Sequence, residues 1–218
     1  MMHHAVLIAL LLFSIPSVCA QSALSTYGNT QLDQLLSDRP DMKDVLPIDD
    51  VIVRWVVRRF DSGPNGERVR WDSREPFSGR EAENQSGAHT YIRITNSADV
   101  TGSDKWFLLV FELNNIPRHF TLNKLLRDAR QQRVTREIFV RACVGHEFEA
   151  LVRTARFFRR HPIPGATVQN APIYLRSSHY AESFSFQSHL NFLDSLDDDA
   201  YDPREYFGRY YDRLSGLN

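Results

Sequence analysis

Residues 51–60 alternate between apolar and polar character. Val51, Val53, Trp55 and Val57 share one parity and Arg54 and Arg58 the other, which predicts a β-strand. A dense turn sequence follows at 61–66, and residues 67–71 are expected to return antiparallel. Residues 89–95 alternate cleanly, with Ile92 and Ile94 inward and Tyr91, Arg93 and Thr95 outward. Residues 106–113 are apolar on both faces except at Glu112, the pattern of a central strand covered on each side. Between these runs, 73–88 and 96–104 are polar and aperiodic and read as loops.

The period changes after residue 120. Thr121 is placed to cap a helix over 122–132, and a longer helix is expected over 135–160, ended by His161-Pro162, with a break that a kink would satisfy. On the long helix Val140, Val144, Phe148, Leu151, Ala155 and Phe158 form one apolar stripe. Phe139, Cys143, His146, Ala150 and Phe157 form a smaller one on the other side, so the helix is expected to pack on two faces. Short strands are predicted at 173–176 and 182–192. Asp202, Pro203 and Glu205 then open a final helix as N-cap, N1 and N3 residues, with an aromatic face of Tyr206, Phe207, Tyr210 and Tyr211. A short helix capped by Thr30 is predicted near the start, over 30–36.

This order of elements predicts an α+β fold: an antiparallel sheet of about four to six strands with a long helix and a C-terminal helix packed against it. Strands and helices do not alternate and no glycine-rich phosphate loop is present, which argues against a doubly wound nucleotide-binding fold.

The first twenty residues are of another kind. An uncharged apolar run, 5–15, precedes Pro16, and Val18 and Ala20 stand at the positions a signal peptidase reads. The run is shorter than the roughly 20 residues that a membrane helix requires. Residues 1–20 are therefore expected to be a cleaved signal peptide and 21–218 a single α+β domain, secreted or periplasmic, with no membrane span after cleavage. Cleavage after Ala20 removes Cys19 and leaves Cys143 as the only thiol, so no internal disulfide is expected.

The 218 residues carry 26 Lys+Arg against 27 Asp+Glu, a balance that conceals local excess. Residues 116–161 hold 11 basic and 4 acidic side chains, while the segments on either side are net acidic. Within this basic middle Arg153, Arg156, Arg159, Arg160 and His161 are the candidate ligand-binding residues, a patch suited to phosphate or sulfated groups. Nucleic acid is not expected, given the leader and the absence of any binding motif.

Candidate chemistry is sparse. Cys143, His146 and Glu149 are spaced three apart on the long helix, the order of a thiol, a base and an orienting carboxylate, and are the candidate catalytic residues. His146-Glu147 opens like a zincin motif, but Ala150 stands where the second His is needed. The acids at 194–205 lack the spacing of a calcium loop. No metal site is assigned and no cofactor is implied. Glu112 interrupts an apolar run, and Arg93 is its expected partner. The leading expectation is an exported, non-catalytic protein that binds an anionic ligand or a protein partner. The alternative is an exported hydrolase using Cys143, His146 and Glu149 or a His-based metal site.

Overall fold

The computed structural model describes residues 21–47, 49–63, 66–76, 82–85, 90–163, 185–196 and 202–216. The predicted leader, the predicted strand at 173–176, His89 and the acidic run at 197–199 lie outside these residues.

Two cores are joined by one helix. The order is α1 (Gln21–Asp38), α2 (Pro40–Asp44), α3 (Asp50–Asp61), β1 (Val69–Trp71), β2 (Ala82–Gln85), β3 (Thr90–Ile94), α4 (Gly102–Asn115), a 3-10 turn (Ile116–Arg118), α5 (His119–Arg130), α6 (Arg136–Arg160), α7 (Phe186–Leu193) and α8 (Pro203–Ser215). Of the described residues 70% are helical and 7% lie in strands. The strands form a mixed sheet in the order β1-β3-β2, with β1 parallel and β2 antiparallel to β3. This overturns the expected antiparallel sheet of four to six strands.

Three predicted strands are helices. Residues 51–60 lie in α3, where Ile52, Val56, Val57 and Phe60 are buried at helical spacing. The β-branched residues there favour a strand locally, but Asp49 caps the helix by accepting from the Val51 N–H at 2.9 Å. Residues 106–113 lie in α4, buried from Gly102 to Asn114. A helix that is apolar all round is buried all round, and over eight residues that pattern matches a doubly covered strand. The described part of 182–192 lies in α7, capped by Ser185, whose Oγ accepts from the Ser188 N–H at 3.1 Å.

Other boundaries shift as well. The helix predicted at 30–36 is part of α1, and Thr30 sits inside it, donating to the Thr26 carbonyl. Thr121 lies inside α5 rather than capping it, and residues 131–135 form a true break before α6. Residues 67–71 do not return antiparallel, because β1 pairs parallel with β3. The segment 73–88, expected as loop, contributes β2. Arg93, expected to face outward, is buried and reaches Glu83 at 2.7 Å and Asp72 at 2.9 Å, and these carboxylates, rather than Glu112, are its ion-pair partners.

α4 is the axis of the first core, with Trp106, Leu108 and Leu109 fully buried against α1 to α3, the sheet and the C-terminal half of α6. Two of its buried polar side chains pair with neighbouring elements: Lys105 with Asp41 at 2.6 Å, and Asn114, which donates to Thr154 Oγ1 at 3.1 Å. The second core gathers Ala129 of α5, Phe139, Cys143 and Val144 of α6, Leu193 of α7 and Phe207 and Tyr211 of α8. The 25 residues of α6 span about 37 Å, enough to serve both cores. The cores divide the helix along its length rather than by the two predicted stripes: Phe139, Cys143 and Val144 enter the second core and Ala150, Leu151 and Phe158 the first, so each core draws on both stripes. Its ends are as expected: Thr135 accepts from the Ile138 N–H, and the helix stops at Arg160. α8 likewise begins at its Asp202 cap and buries Phe207 and Tyr211. Among the described residues no helix is long and apolar enough to cross a membrane.

Candidate functional site

Where α3 and α6 meet, long side chains form a seam in antiparallel register. At one end His161, which ends α6, holds Asp49, the cap of α3, with Nδ1 2.5 Å from Oδ2. In the middle the rings of Trp55 and Phe157 lie 4.9 Å apart. At the other end stand Arg59 and Arg153. Arg59 lies over the Trp55 ring at 5.0 Å, a cation–π contact that fixes the guanidinium beside the aromatic floor.

Arg59 is half-buried, and its pKa is pushed down by that burial and then by the charges of Arg153 and Arg58. Neither Arg59 nor Arg153 belongs to an ion pair among the described residues. A half-buried cation facing a second cation without a carboxylate is unfavourable. An anion between them would relieve that cost.

The cationic face continues from this point. At 100° per residue Arg153, Arg156 and Arg160 fall within about 60° of one another and cover about 10 Å of helix. All three are exposed, as is Arg159 on the adjoining flank. Of the five predicted ligand-binding residues, four therefore lie together on the surface, and the fifth, His161, is engaged by Asp49. Arg118, at the base of α5, also feels Arg153. Its pKa is lowered first by burial, with Glu149 opposing, and Arg153 adds to the lowering.

Cys143, His146 and Glu149 are deployed differently from one another. Cys143 is 1% exposed in the second core, and burial, reinforced by Glu147, pushes its thiol up to about 12. A nucleophilic cysteine needs its thiolate and access to substrate, and this environment withholds both. His146 is half-buried, and burial followed by the Arg118 charge lowers its pKa. Glu149 pairs with Arg118 at 2.6 Å, and the same Arg118 donates to the His146 carbonyl. Arg118 is thus the residue that links His146 and Glu149. Among the described residues no group of three or more His, Cys, Asp or Glu side chains is arranged to hold a metal ion.

No protein-family profile, curated protein sequence or solved structure matches the chain. Its functional reading therefore rests on the seam.

Trp55, Arg59 and Arg118 were not among the residues that the sequence singled out. The first two fell in a segment read as a strand, in which residues four apart share a face but lie about 13 Å from each other. Read with a helical period, they are four apart and adjacent, directly after an Asp49 cap. That spacing was the available signal. Arg118 had none, because its neighbours come from α6, some thirty residues further along the chain.

Proposed function

We propose that the protein is an exported, non-catalytic binding protein whose α3–α6 seam takes an anionic ligand. The observation that carries the reading is Arg59, half-buried and stacked on the Trp55 ring at 5.0 Å, with the charge of Arg153 acting on it and no ion pair to either arginine among the described residues. Trp55 and Phe157 supply a rigid aromatic floor beside them, and Arg156 and Arg160 extend the positive field along α6. Guanidinium groups in this arrangement suit oxyanions, which accept two parallel N–H bonds from each fork. Export is supported by the apolar run and small-residue junction within residues 1–20.

Titration of the purified chain with inorganic tripolyphosphate, and separately with a sulfated oligosaccharide, tests the reading and separates phosphate from sulfate sources. Arg59→Ala and Arg153→Ala are each expected to weaken the better ligand by about tenfold or more. Binding is also expected to fall steeply with added salt. Absence of saturable binding of either probe up to about 10 mM, or equal binding by the wild type and both variants, ends the proposal.

A further inference from the structure

Glu149 stands one helical turn before Arg153 on the same face of α6. Its Oε2 lies 2.6 Å from a terminal nitrogen of Arg118, and the two partners are unequal: the Arg118 side chain is 9% exposed and that of Glu149 62%. Arg118 is held from the inner side by the His146 carbonyl, while its Nε is buried with no hydrogen-bond partner among the described residues. A buried guanidinium with an unused donor is thus covered on its solvent side by a carboxylate belonging to the chain itself. Arg118 and Arg153 are also close enough for each charge to act on the other.

We infer that Arg118 is a second anion subsite of the seam, that Glu149 occupies it in the unliganded protein, and that the ligand carries at least two anionic groups. The inference rests on the seam being an anion site. One group of the ligand lies between Arg59 and Arg153, and a second displaces Glu149 to reach Arg118. A tethered carboxylate competes at an effective concentration in the millimolar range or above, so a separate monovalent anion gains little at Arg118. A ligand already anchored at Arg59 and Arg153 is itself tethered and can take the position.

The test compares inorganic phosphate with inorganic tripolyphosphate by calorimetric titration of the full chain as wild type, Glu149→Gln and Glu149→Asp. Glutamine removes the competing charge and aspartate shortens its tether by one methylene, so both weaken the hold on Arg118, the second without changing net charge. For each, tripolyphosphate affinity is expected to rise about tenfold, as for one charge-assisted contact no longer contested. Phosphate, which does not span to Arg118, is expected to change by less than about twofold, the size of a weak exposed charge effect. Equal gains for both probes, or a gain in Glu149→Gln without one in Glu149→Asp, assign Glu149 to the general field and overturn the inference. No gain in either variant also overturns it. The underlying reading fails separately, when Arg59→Ala and Arg153→Ala leave wild-type tripolyphosphate binding unchanged. Thermal midpoints identify a misfolded variant, and Glu149→Asp carries the test if Glu149→Gln does not fold.

Discussion

His161 Nδ1 lies 2.5 Å from Asp49 Oδ2, so the residue that ends α6 holds the residue that begins α3. Asp49 performs two tasks, because its other oxygen accepts from the Val51 N–H. The His161 hydrogen bond and then the Val51 bond hold its carboxyl below the ordinary aspartate value. Asp49→Ala is expected to lose the cap and also the tether that sets the seam's register. Asp49→Ser restores only the cap. Anion binding is expected to weaken in both variants, with stability partly recovered in the serine one, as read by urea midpoints alongside the tripolyphosphate titration.

Acid sensitivity is expected to come from buried histidines. His189 of α7 is 1% exposed and packs at 5.1 Å from the Phe148 ring. Burial first and then the Arg204 charge push its pKa down to about 4, with Asp202 opposing. An unfolded histidine takes its proton near pH 6.5, so between these values the unfolded state binds the additional proton. Stability is full above this window and falls as pH drops through it, by roughly 3 kcal/mol for His189. His119, also lowered to about 4 by burial, acts in the same sense. Urea midpoints from pH 7 to pH 4 measure the slope, which His189→Gln should reduce; an unchanged slope would show that His189 is not its source.

Native Cys143 is expected to resist alkylation at neutral pH and to be labelled once the chain is unfolded in urea. Peptide mass mapping distinguishes its label from that of Cys19. Rapid labelling of the native protein would contradict both its 1% exposure and its raised pKa.

Tight helix contact is expected to make two glycines differ sharply. A Cβ on Gly28 would lie 2.2 Å from the Val57 carbonyl oxygen, where α1 crosses α3, and its N–H already donates to Asp61 at 2.8 Å. A Cβ on Gly208 would instead meet the flexible end of Arg136. Gly28→Ala is expected to cost about 3 kcal/mol or more through backbone displacement, and Gly208→Ala to stay within about 1 kcal/mol. Equal thermal shifts in the two variants would refute this account of the α1–α3 contact.

Tyr211 bridges the second core and the break before α6, its hydroxyl donating to the Val134 carbonyl at 2.8 Å while its ring packs on Phe139. Tyr211→Phe is expected to cost about 1 kcal/mol and Phe139→Ala about 3 to 5 kcal/mol. Denaturant midpoints at constant m check both.

The sequence by itself determined the elements whose signals are local: α6 with its Thr135 cap and His161-Pro162 end, α8 with Asp202 and Pro203, and β3 with Ile92 and Ile94 inward. It also marked Arg153, Arg156, Arg159, Arg160 and His161 as one basic patch at the end of α6. The natures of α3, α4 and α7 were decided by tertiary structure. Val51 to Val57, Trp106 to Leu113 and Phe186 to Phe192 are short apolar runs whose patterns fit either period, and burial against neighbours distant in sequence selects the helix. The candidate site divides in the same way. Its α6 arginines were legible, whereas Arg59, Trp55 and Arg118 join them only because α3 and the 3-10 turn are brought against α6 by a shared core. Whether a cation pairs, stacks or faces another cation depends on distances through space, and no spacing along the chain encodes those.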